Sequence, residues 1–389
     1  MNSQSRRTFI AAGLGAPALL AIPQRPAKNA PDLPSGSHTQ LAYRTLGKTG
    51  LKVTSMGFGS MITSDGTVLE RAADLGINYF DTARGYQNGN CERMVGAALK
   101  SRRKQLYIST KSHSRTMATA LADLDTSLKE LQTDYVDIWY LHAVGKPSDL
   151  NMELLEAQSI AKRAGKIRFA GLSTHSGHKE VIAYAAANNK HFDVVLTTYN
   201  FSMEPFMDDL VRTANDAGLG VVAMKVMAGG QRPVGGVVLQ DKTKDILKRE
   251  GAMLAALKWA IKNPGIHTTV PSITDMDQLE ENVKAMATPF TPSDAKVLQA
   301  RLLQIGPEYC RMCGECKGQC RQGLNVADLN RFLMYSENYG EFSLGREHFQ
   351  TLTAAHREVR CSACPECTVE CPYGVRVSQR LTRAQELFA

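Results

Sequence analysis

The chain lacks several features that would assign it to common classes. No stretch approaches the twenty or so apolar residues needed to cross a bilayer, so we expect no stable membrane span. The pattern G-x-G-x-x-G is absent after the first predicted strand, which argues against an open dinucleotide-binding sheet. No run of interleaved aromatic and basic residues appears, and the basic residues behind the net charge of +8 are spread along the chain. We therefore expect no nucleic-acid partner.

The first forty residues have the composition of an export signal. Arg6 and Arg7 directly precede an uncharged stretch rich in Ala, Gly and Leu, residues 11–22, and a Pro-rich segment follows. A basic region before a short apolar region is typical of secretory signals, and two adjacent arginines indicate the twin-arginine variant. We predict a twin-arginine signal and linker over residues 1–40 and a periplasmic location, reached by export in the folded state. A disordered basic terminus is the alternative.

Eight of the nine cysteines lie in two C-terminal runs that share the spacing C-x2-C-x2-C-x3-C. In bacterial ferredoxins this spacing binds two 4Fe–4S clusters, and the fourth thiolate of each run binds the cluster of the other run. Disulfides and zinc are the alternatives. Orderly disulfide pairing is awkward at two-residue intervals, however, and zinc more naturally uses C-x2-C pairs. The predicted cluster ligands are Cys310, Cys313, Cys316, Cys320, Cys361, Cys364, Cys367 and Cys371.

The ninth cysteine, Cys91, stands alone and is expected to be structural. About forty residues separate the two cysteine runs, and their pattern is helical, as in Val326–Tyr335. We therefore predict a small all-helical ferredoxin-like domain with two clusters over residues 301–389. A chain of 389 residues is also longer than one core usually organises, which favours two folded domains.

The larger predicted domain covers residues 41–300. Short apolar strands alternate there with helical stretches, and eight such units fit a (β/α)8 TIM barrel, an α/β fold. An open doubly wound sheet is the alternative. The predicted strands are Val53–Gly57, Asn78–Thr82, Leu106–Thr110, Val136–His142, Ile167–Ser173, Val194–Tyr199, Val221–Val226 and Thr268–Ile273.

Four polar side chains follow three successive predicted strands. Asp81 with Tyr86, then Lys111, then His142 lie at the strand ends, where a barrel places its chemistry. A tyrosine can give a proton to a carbonyl oxygen if a lysine lowers its pKa, and an aspartate can hold that lysine charged. A histidine can hydrogen-bond the developing oxyanion. Each residue alone could instead be a packing or surface residue, but their joint occurrence favours proton transfer.

Several motifs at these positions resemble the aldo-keto reductase family. They are Gly57-Phe58-Gly59, Phe80-Asp81-Thr82-Ala83 with Tyr86, Ser109-Thr110-Lys111, and Asp134 through His142, and the likeness covers residues 41 to about 289. With its signal and cysteine runs, the chain is similar to the branch in which this barrel is fused to a ferredoxin-like module. The resemblance implies a catalytic tetrad of Asp81, Tyr86, Lys111 and His142, with Tyr86 as general acid and hydride from NAD(P)H.

The resemblance also implies a set of cofactor contacts, although several positions depart from the family pattern. Leu196 replaces a glutamine and Met224 replaces an aromatic residue that stacks on the nicotinamide. Ser272 and Gln278 replace the Lys and Arg of typical NADPH users, so the preference between NAD and NADP stays open, and Lys225 could compensate near a phosphate. The implied contacts are Gly59, Ser60, Ser173, Thr174, Lys225, Ser272, Glu281 and Asn282.

The sequence therefore predicts an oxidoreductase that reduces a small carbonyl substrate, or oxidises the matching alcohol. The two clusters would couple this chemistry to a redox partner. The alternative is an iron–sulfur electron-transfer protein whose barrel is a docking scaffold without hydride chemistry. The intact tetrad favours the enzyme, whereas the altered cofactor positions favour the scaffold.

The twin-arginine motif leads to the first prediction. Replacing both residues, Arg6→Lys with Arg7→Lys, should leave the protein in the cytoplasm with its clusters still assembled, because that export route depends on the arginine pair. Cell fractionation together with the iron content of the retained protein checks this. Normal export of the double variant, or a native protein that never leaves the cytoplasm, would contradict the signal.

Overall fold

The computed structural model describes residues 41–203, 205–229 and 251–389. The predicted signal and linker, residues 1–40, lie outside the described residues. Among the residues that the structure describes, no helix is both long and apolar enough to cross a membrane.

The chain enters the fold through a hairpin of two antiparallel strands, β1 (Tyr43–Thr45) and β2 (Lys52–Thr54). Leu46, Leu51 and Val53 of this hairpin are buried in the core inside the barrel. The prediction of a first barrel strand at Val53–Gly57 is therefore wrong for Val53 and Thr54, whereas Met56 does bridge Thr269 in the barrel. Val53 pairs with Arg44 across the hairpin, and the first barrel strand is Phe58–Gly59.

Eight parallel strands form one sheet in which each strand pairs with its neighbours in chain order. Backbone bridges between Met56 and Thr269 and between Gly59 and Ser272 join the first strand to the last. The sheet is thus closed into the predicted (β/α)8 barrel. Its strands are β3 (Phe58–Gly59), β4 (Tyr79–Asp81), β5 (Tyr107–Ser112), β6 (Val136–Leu141), β7 (Ile167–Thr174), β8 (Val194–Thr198), β9 (Gly220–Met224) and β10 (Thr268–Thr269).

Helices follow the strands and cover the outside of the barrel. Several begin at side chains that accept from an otherwise unpaired backbone N–H, such as Asp65 for Thr67 and Asn151 for Leu154. Described helices of this part are α1 (Gly66–Asp74), α2 (Asn90–Leu99), α3 (Met117–Glu130), α4 (Met152–Arg163), α5 (His178–Ala187), α6 (Phe206–Asp216), α7 (Ala252–Lys262), α8 (Met276–Ala287) and α9 (Pro292–Ile305).

The interior of the barrel is filled by side chains, as expected for eight strands. Tyr79 and Tyr140 meet inside it, and their hydroxyl oxygens lie 2.9 Å apart. Gly171 leaves room for this packing, because a Cβ atom there would lie 2.5 Å from the Tyr140 ring. The interior of the barrel is therefore a packed core.

The C-terminal segment is helical, as the spacing between the cysteine runs predicts. It consists of α10 (Val326–Glu337), α11 (Phe342–Gln350), α12 (Ala354–Glu358) and α13 (Val377–Phe388). Phe332, Phe349 and Phe388 belong to a core of its own, separate from the two barrel cores. Helix α9 runs through the predicted domain boundary at residue 300 and leads directly into this segment.

The C-terminal segment also packs on the barrel. The buried Tyr309 hydroxyl accepts a hydrogen bond of 3.1 Å from Asn200, which follows β8. Met312, Met334 and Tyr335 belong to the core shared by the barrel strands and their surrounding helices. Helix α10 therefore lies at the carboxyl ends of the barrel strands, where it faces the candidate site.

Candidate active site

A cavity of about 350 Å³ opens at the carboxyl ends of the barrel strands. Barrel loops form one wall of the cavity, and residues of α10 and α11 form the opposite wall. The site residues predicted from the sequence that line it are Gly59, Ser60, Asp81, Tyr86, His142, Lys225, Ser272, Glu281 and Asn282. Lys111 lies directly behind this surface and is 1% exposed.

Asp81 and Lys111 form a buried ion pair beneath the cavity. Lys111 Nζ lies 2.5 Å from Asp81 Oδ2 and donates a second hydrogen bond of 2.7 Å to the Thr82 carbonyl oxygen. The Ser109 hydroxyl donates to the other carboxylate oxygen at 2.6 Å. Burial lowers the pKa of Lys111, and the charge of Asp81 opposes that shift. The pair thus has the arrangement that the sequence predicts.

Tyr86 lies beside this pair, with Lys111 Nζ 4.8 Å from the centre of its ring. Burial raises the pKa of Tyr86 well above 10, and the charges of Asp81 and Tyr335 add to the shift. The direction is opposite to the lowering by Lys111 that the sequence leads us to expect, because burial disfavours the charged phenolate. At neutral pH Tyr86 is therefore a protonated phenol that can donate a hydrogen bond or a proton.

His142 completes the predicted group of four. Its ring stacks on that of His113 with 3.9 Å between the centroids and meets the Tyr86 ring edge-on at 5.9 Å. Burial lowers the pKa of His142 well below 6.5, and nearby His113 and Lys111 lower it further. The imidazole is therefore neutral at pH 7. Its buried Nδ1 has no hydrogen-bond partner among the described residues, so a ligand could bind there.

The predicted cofactor positions divide into two groups. Ser60 lines the cavity with a buried hydroxyl that has no partner in the described part of the chain, which is consistent with a ligand contact. Gly59 also lines it, but its lack of a side chain serves barrel closure, because a Cβ atom would lie 2.6 Å from the Val270 carbonyl oxygen. Glu281 and Asn282 reach the cavity from α8.

The second group contains Ser173 and Thr174, which are absent from the described lining of the cavity. The Ser173 hydroxyl accepts from the Ala143 backbone N–H at 3.0 Å, and the Thr174 hydroxyl donates to the Ser176 carbonyl at 2.6 Å. Leu196, at the family's glutamine position, is buried in the barrel interior. The structure therefore does not bring these three residues to the cavity surface.

Sequence reasoning missed several residues that line the cavity. His113 follows β5 and His175 follows β7, whereas Arg331, Tyr335 and His348 come from the C-terminal helices. The spacing of Arg331 and Tyr335 places them on one face of a helix, which is a signal that the sequence contains. Nothing in the sequence indicates that this face turns toward the barrel.

The eight clustered cysteines form two groups, each drawn from both runs. Burial raises the pKa of Cys310 to about 12, and the nearby charges of Cys316, Cys313 and Cys371 act in the same direction. A small pocket is lined by these same four cysteines. The first group is therefore three residues of the first run together with the last residue of the second run.

The second group has the reverse composition. Burial raises the pKa of Cys361 to about 11, and Cys364, Cys320 and Cys367 add to this effect. The Gln319 carbonyl oxygen accepts a 2.7 Å hydrogen bond from Thr368, which ties the two runs together beside Cys320. No described group of three or more His, Cys, Asp or Glu side chains is arranged to hold a single metal ion.

The closed parallel barrel with a polar cavity at its carboxyl ends defines the chain as a TIM-barrel protein with an enzyme-like site. The model of the aldo/keto reductase family matches residues 63–302, and the chain belongs to that family. It is an oxidoreductase of the aldo/keto reductase type.

Two relatives illustrate the range of the family. The chain is 27% identical over 300 residues to the uncharacterized oxidoreductase YrpG of Bacillus subtilis, covering 63% of this chain and 91% of that protein. It is also 27% identical over 283 residues to an L-galactose dehydrogenase of Arabidopsis thaliana, covering 64% and 89% of the two chains.

Solved structures agree with this assignment. The holo form of the aldo-keto reductase AKR11C1 from Bacillus halodurans superposes with a TM-score of 0.57 at 26% identity, over 68% of this chain and 97% of that chain. An aldo/keto reductase from Klebsiella pneumoniae, solved with NADP and acetate, gives 0.55 at 22% identity, over 67% and 95%. The latter likeness shows the fold alone.

The buried ion pair leads to a prediction about stability. Asp81→Asn leaves the Lys111 ammonium buried without a counter-charge, which should lower the free energy of unfolding by roughly 3–5 kcal/mol near pH 7. The folded-state pKa of Lys111 is lowered, so the unfolded chain binds more protons and stability rises with pH. The penalty should therefore shrink from pH 7 toward pH 10 in denaturation experiments.

Asp137→Asn is the matched control, because Asp137 is also buried but pairs with Arg103 and Arg168. An arginine keeps its proton across this pH range. The penalty of Asp137→Asn should stay constant from pH 7 to pH 10. Equal pH dependence of the two variants would contradict the assignment to Lys111.

Proposed function

We propose that the protein transfers hydride between a nicotinamide dinucleotide and a small carbonyl or alcohol substrate, with Tyr86 as the proton donor. The observation that carries this proposal is the cavity in which Tyr86 and His142 meet above the Asp81–Lys111 pair. Relatives named as dehydrogenases and reductases support both directions of the reaction.

The proposed proton transfer depends on how these side chains share charge. Tyr86 keeps its proton in the resting site because burial opposes the phenolate. As negative charge develops on the carbonyl oxygen, the Tyr86 proton moves to it and the Lys111 ammonium beside the ring stabilises the phenolate that remains. Asp81 holds Lys111 in place, and the neutral His142 can donate a hydrogen bond to the same oxygen.

The cavity also contains side chains that fit a dinucleotide. Ser60 offers an unpartnered hydroxyl, and Ser272, Glu281 and Asn282 line the wall formed by β10 and α8. When bound, the nicotinamide would supply the hydride. Gln278 is occupied by hydrogen bonds to Thr274 and Asp275, so it gives no charge to a 2′-phosphate, and both NAD and NADP remain within the proposal.

We further propose that the two cysteine groups bind 4Fe–4S clusters. Each group contains four thiols, three from one run and the fourth from the other, which is the ligand arrangement of two-cluster ferredoxins. Each thiolate of such a cluster binds a different iron atom, so the four sulfur atoms need not converge on one point. When bound, the clusters would supply one-electron transfer.

The position of the first cysteine group supports a link to the cavity. Tyr309 precedes Cys310 and accepts a hydrogen bond from Asn200, which also donates to the Lys225 carbonyl oxygen at 3.0 Å. Cys367 of the second group, in contrast, is exposed to solvent. The second group would therefore face a redox partner, while the first would lie next to the active site. We place this activity in the periplasm on the basis of Arg6 and Arg7.

The crossed cysteine groups lead to a prediction about metal content. Protein purified without oxygen should contain about eight iron and eight sulfide per chain. Cys371→Ala should reduce this to about four and remove the cluster of Cys310, because Cys371 is the fourth ligand of that group. Iron analysis and electron paramagnetic resonance of the reduced protein measure the two outcomes.

Cys91→Ala is the matched control, since Cys91 is buried in the barrel and donates to the Ser60 carbonyl oxygen at 3.2 Å. It should leave the iron content unchanged. A colourless protein that contains only zinc, or a Cys371→Ala variant in which only the cluster of Cys361 is lost, would contradict the proposal.

The tetrad leads to a prediction about turnover. Tyr86→Phe removes the proton donor and keeps the ring, so carbonyl turnover should fall about 10²–10⁴-fold. Dinucleotide affinity should change little, because the proton acts in the transition state. Steady-state kinetics and a fluorescence titration of the dinucleotide measure the two effects. Undiminished carbonyl turnover would rule out Tyr86 as the acid. The electron-transfer alternative would instead be favoured by a protein without carbonyl turnover in which Tyr86→Phe leaves cluster reduction unchanged and cysteine replacements abolish it.

A further inference from the structure

The cavity is lined by two cations that the proposed proton transfer does not use. Lys225 follows β9 and is partly buried, while Arg331 lies on α10 and is 7% exposed. A buried cation is unfavourable unless it is paired, so these two side chains call for an explanation.

Lys225 is held by aromatic rings rather than by a carboxylate. Its Nζ lies 4.6 Å from the centre of the Tyr335 ring and 5.4 Å from that of Tyr339. Within residues 41–203, 205–229 and 251–389, no carboxylate lies at ion-pair distance from it. Burial lowers the pKa of Lys225, although its contact with Tyr335 opposes this shift. An anion beside Lys225 would stabilise its protonated form.

Arg331 has one acidic partner and spare donors. Its Nη2 donates to Asp328 at 2.9 Å, and Nη1 donates to the Tyr335 hydroxyl at 3.3 Å. The buried Nε has no partner among the described residues. Among the described residues, Asp328 pairs with Arg331 and no carboxylate pairs with Lys225. Tyr335 contacts both cations.

The other charged groups of the cavity do not cancel this excess. Asp81 is committed to Lys111, and Glu281 lies on the opposite wall with α8. Burial keeps the pKa of His142 and of His175 well below 6.5, so both imidazoles are neutral at pH 7. Burial opposes ionisation of the Tyr335 phenol, but Lys225 and Arg331 together lower its pKa. The region around Tyr335 thus favours negative charge, which is consistent with an anionic ligand.

We propose that Lys225, Arg331 and Tyr335 form an anion site that binds a carboxylate of the substrate, so that the protein acts on oxo acids and the corresponding hydroxy acids. This assignment rests on the proposed function. A guanidinium presents paired N–H donors that match a carboxylate, and a lysine adds a point charge beside it. The C-terminal segment would thereby select the substrate that the barrel transforms.

An anionic oxygen could also come from a cofactor phosphate, but the position of the site favours the substrate. A series of ring contacts connects Tyr335 to the proposed acid. Tyr335 lies 5.3 Å from His348, and His348 lies 6.0 Å from His113, measured between ring centroids. His113 stacks on His142, which meets Tyr86 at 5.9 Å. Ser272 and Asn282 line the cavity from the segment after β10 and from α8. The site thus lies on the side of the proton donor. The two sources make different predictions, which one set of variants separates.

The test compares benzoate with its neutral isostere benzamide as ligands of the holoprotein in the presence of NADP⁺ or NAD⁺. Calorimetry should show that the wild type binds benzoate at least about tenfold more tightly than benzamide. Arg331→Gln and Lys225→Met should each weaken benzoate binding roughly 10- to 100-fold, the usual effect of losing a charged hydrogen bond, and change benzamide binding little.

Arg380→Gln is the matched control, because Arg380 is a buried arginine of α13 that pairs with Glu308 and Glu337 outside the cavity. It perturbs the same segment and should keep the preference for benzoate. Equal binding of benzoate and benzamide by the wild type would overturn the proposal. So would an Arg331→Gln variant that keeps the preference, or an Arg380→Gln variant that loses it equally.

Titration of NADPH and NADH separates the two sources of the anion. The proposal expects unchanged dinucleotide affinity in Arg331→Gln. Weaker dinucleotide binding with an intact preference for benzoate would assign the cations to a cofactor phosphate and overturn it. Failure of the proposed function is distinguishable, because it would appear as undiminished turnover in Tyr86→Phe and would leave the benzoate preference in place.

Discussion

Closure of the parallel barrel is the constraint on which the rest of the structure depends. The bridges from Met56 to Thr269 and from Gly59 to Ser272 bring the last strand against the first. The absence of a side chain at Gly59 permits this approach. Asp81, Lys111 and His142 lie at the ends of three neighbouring parallel strands, which place them side by side at one rim. Closure then brings Ser272, from the far end of the sheet, to the same rim beside Gly59.

Helix α10 connects the barrel to the second core. Phe332 packs among the C-terminal helices, whereas Met334 and Tyr335 belong to the barrel core. Adjacent positions on a helix point in different directions, so one helix can serve both cores. Its remaining polar face carries Arg331 into the cavity. The orientation of this polar face is therefore fixed by apolar packing on two other sides.

Much of the barrel could be predicted from the sequence, because its strands are short apolar runs at regular intervals. The exceptions have physical reasons. Val53 is apolar and β-branched like a barrel residue, yet it belongs to the hairpin that covers the bottom of the barrel. The direction of the Tyr86 pKa shift is set mainly by the burial of its hydroxyl, which the spacing of the residues does not determine.

The contribution of the C-terminal segment to the cavity was beyond sequence reasoning. Arg331 and Tyr335 lie far along the chain from Tyr86, and their approach depends on how two cores pack together. The crossed grouping of the cysteines, in contrast, follows from their spacing, because a ferredoxin-type run leaves its fourth residue for the other group. The sequence therefore predicts features that depend on patterns within one segment, but it does not predict contacts between segments.

Helix α10 packs in both cores, so the barrel and the C-terminal helices depend on the same element. The family match ends at residue 302, within α9, so the C-terminal segment lies outside the part of the chain that the family model covers. A shortened chain that lacked this segment would nevertheless uncover the apolar surface that Tyr309, Met312 and Met334 cover, and the cavity would lose one of its walls. A substitution on α10 would therefore act at once on the wall of the cavity and on the core of the C-terminal helices.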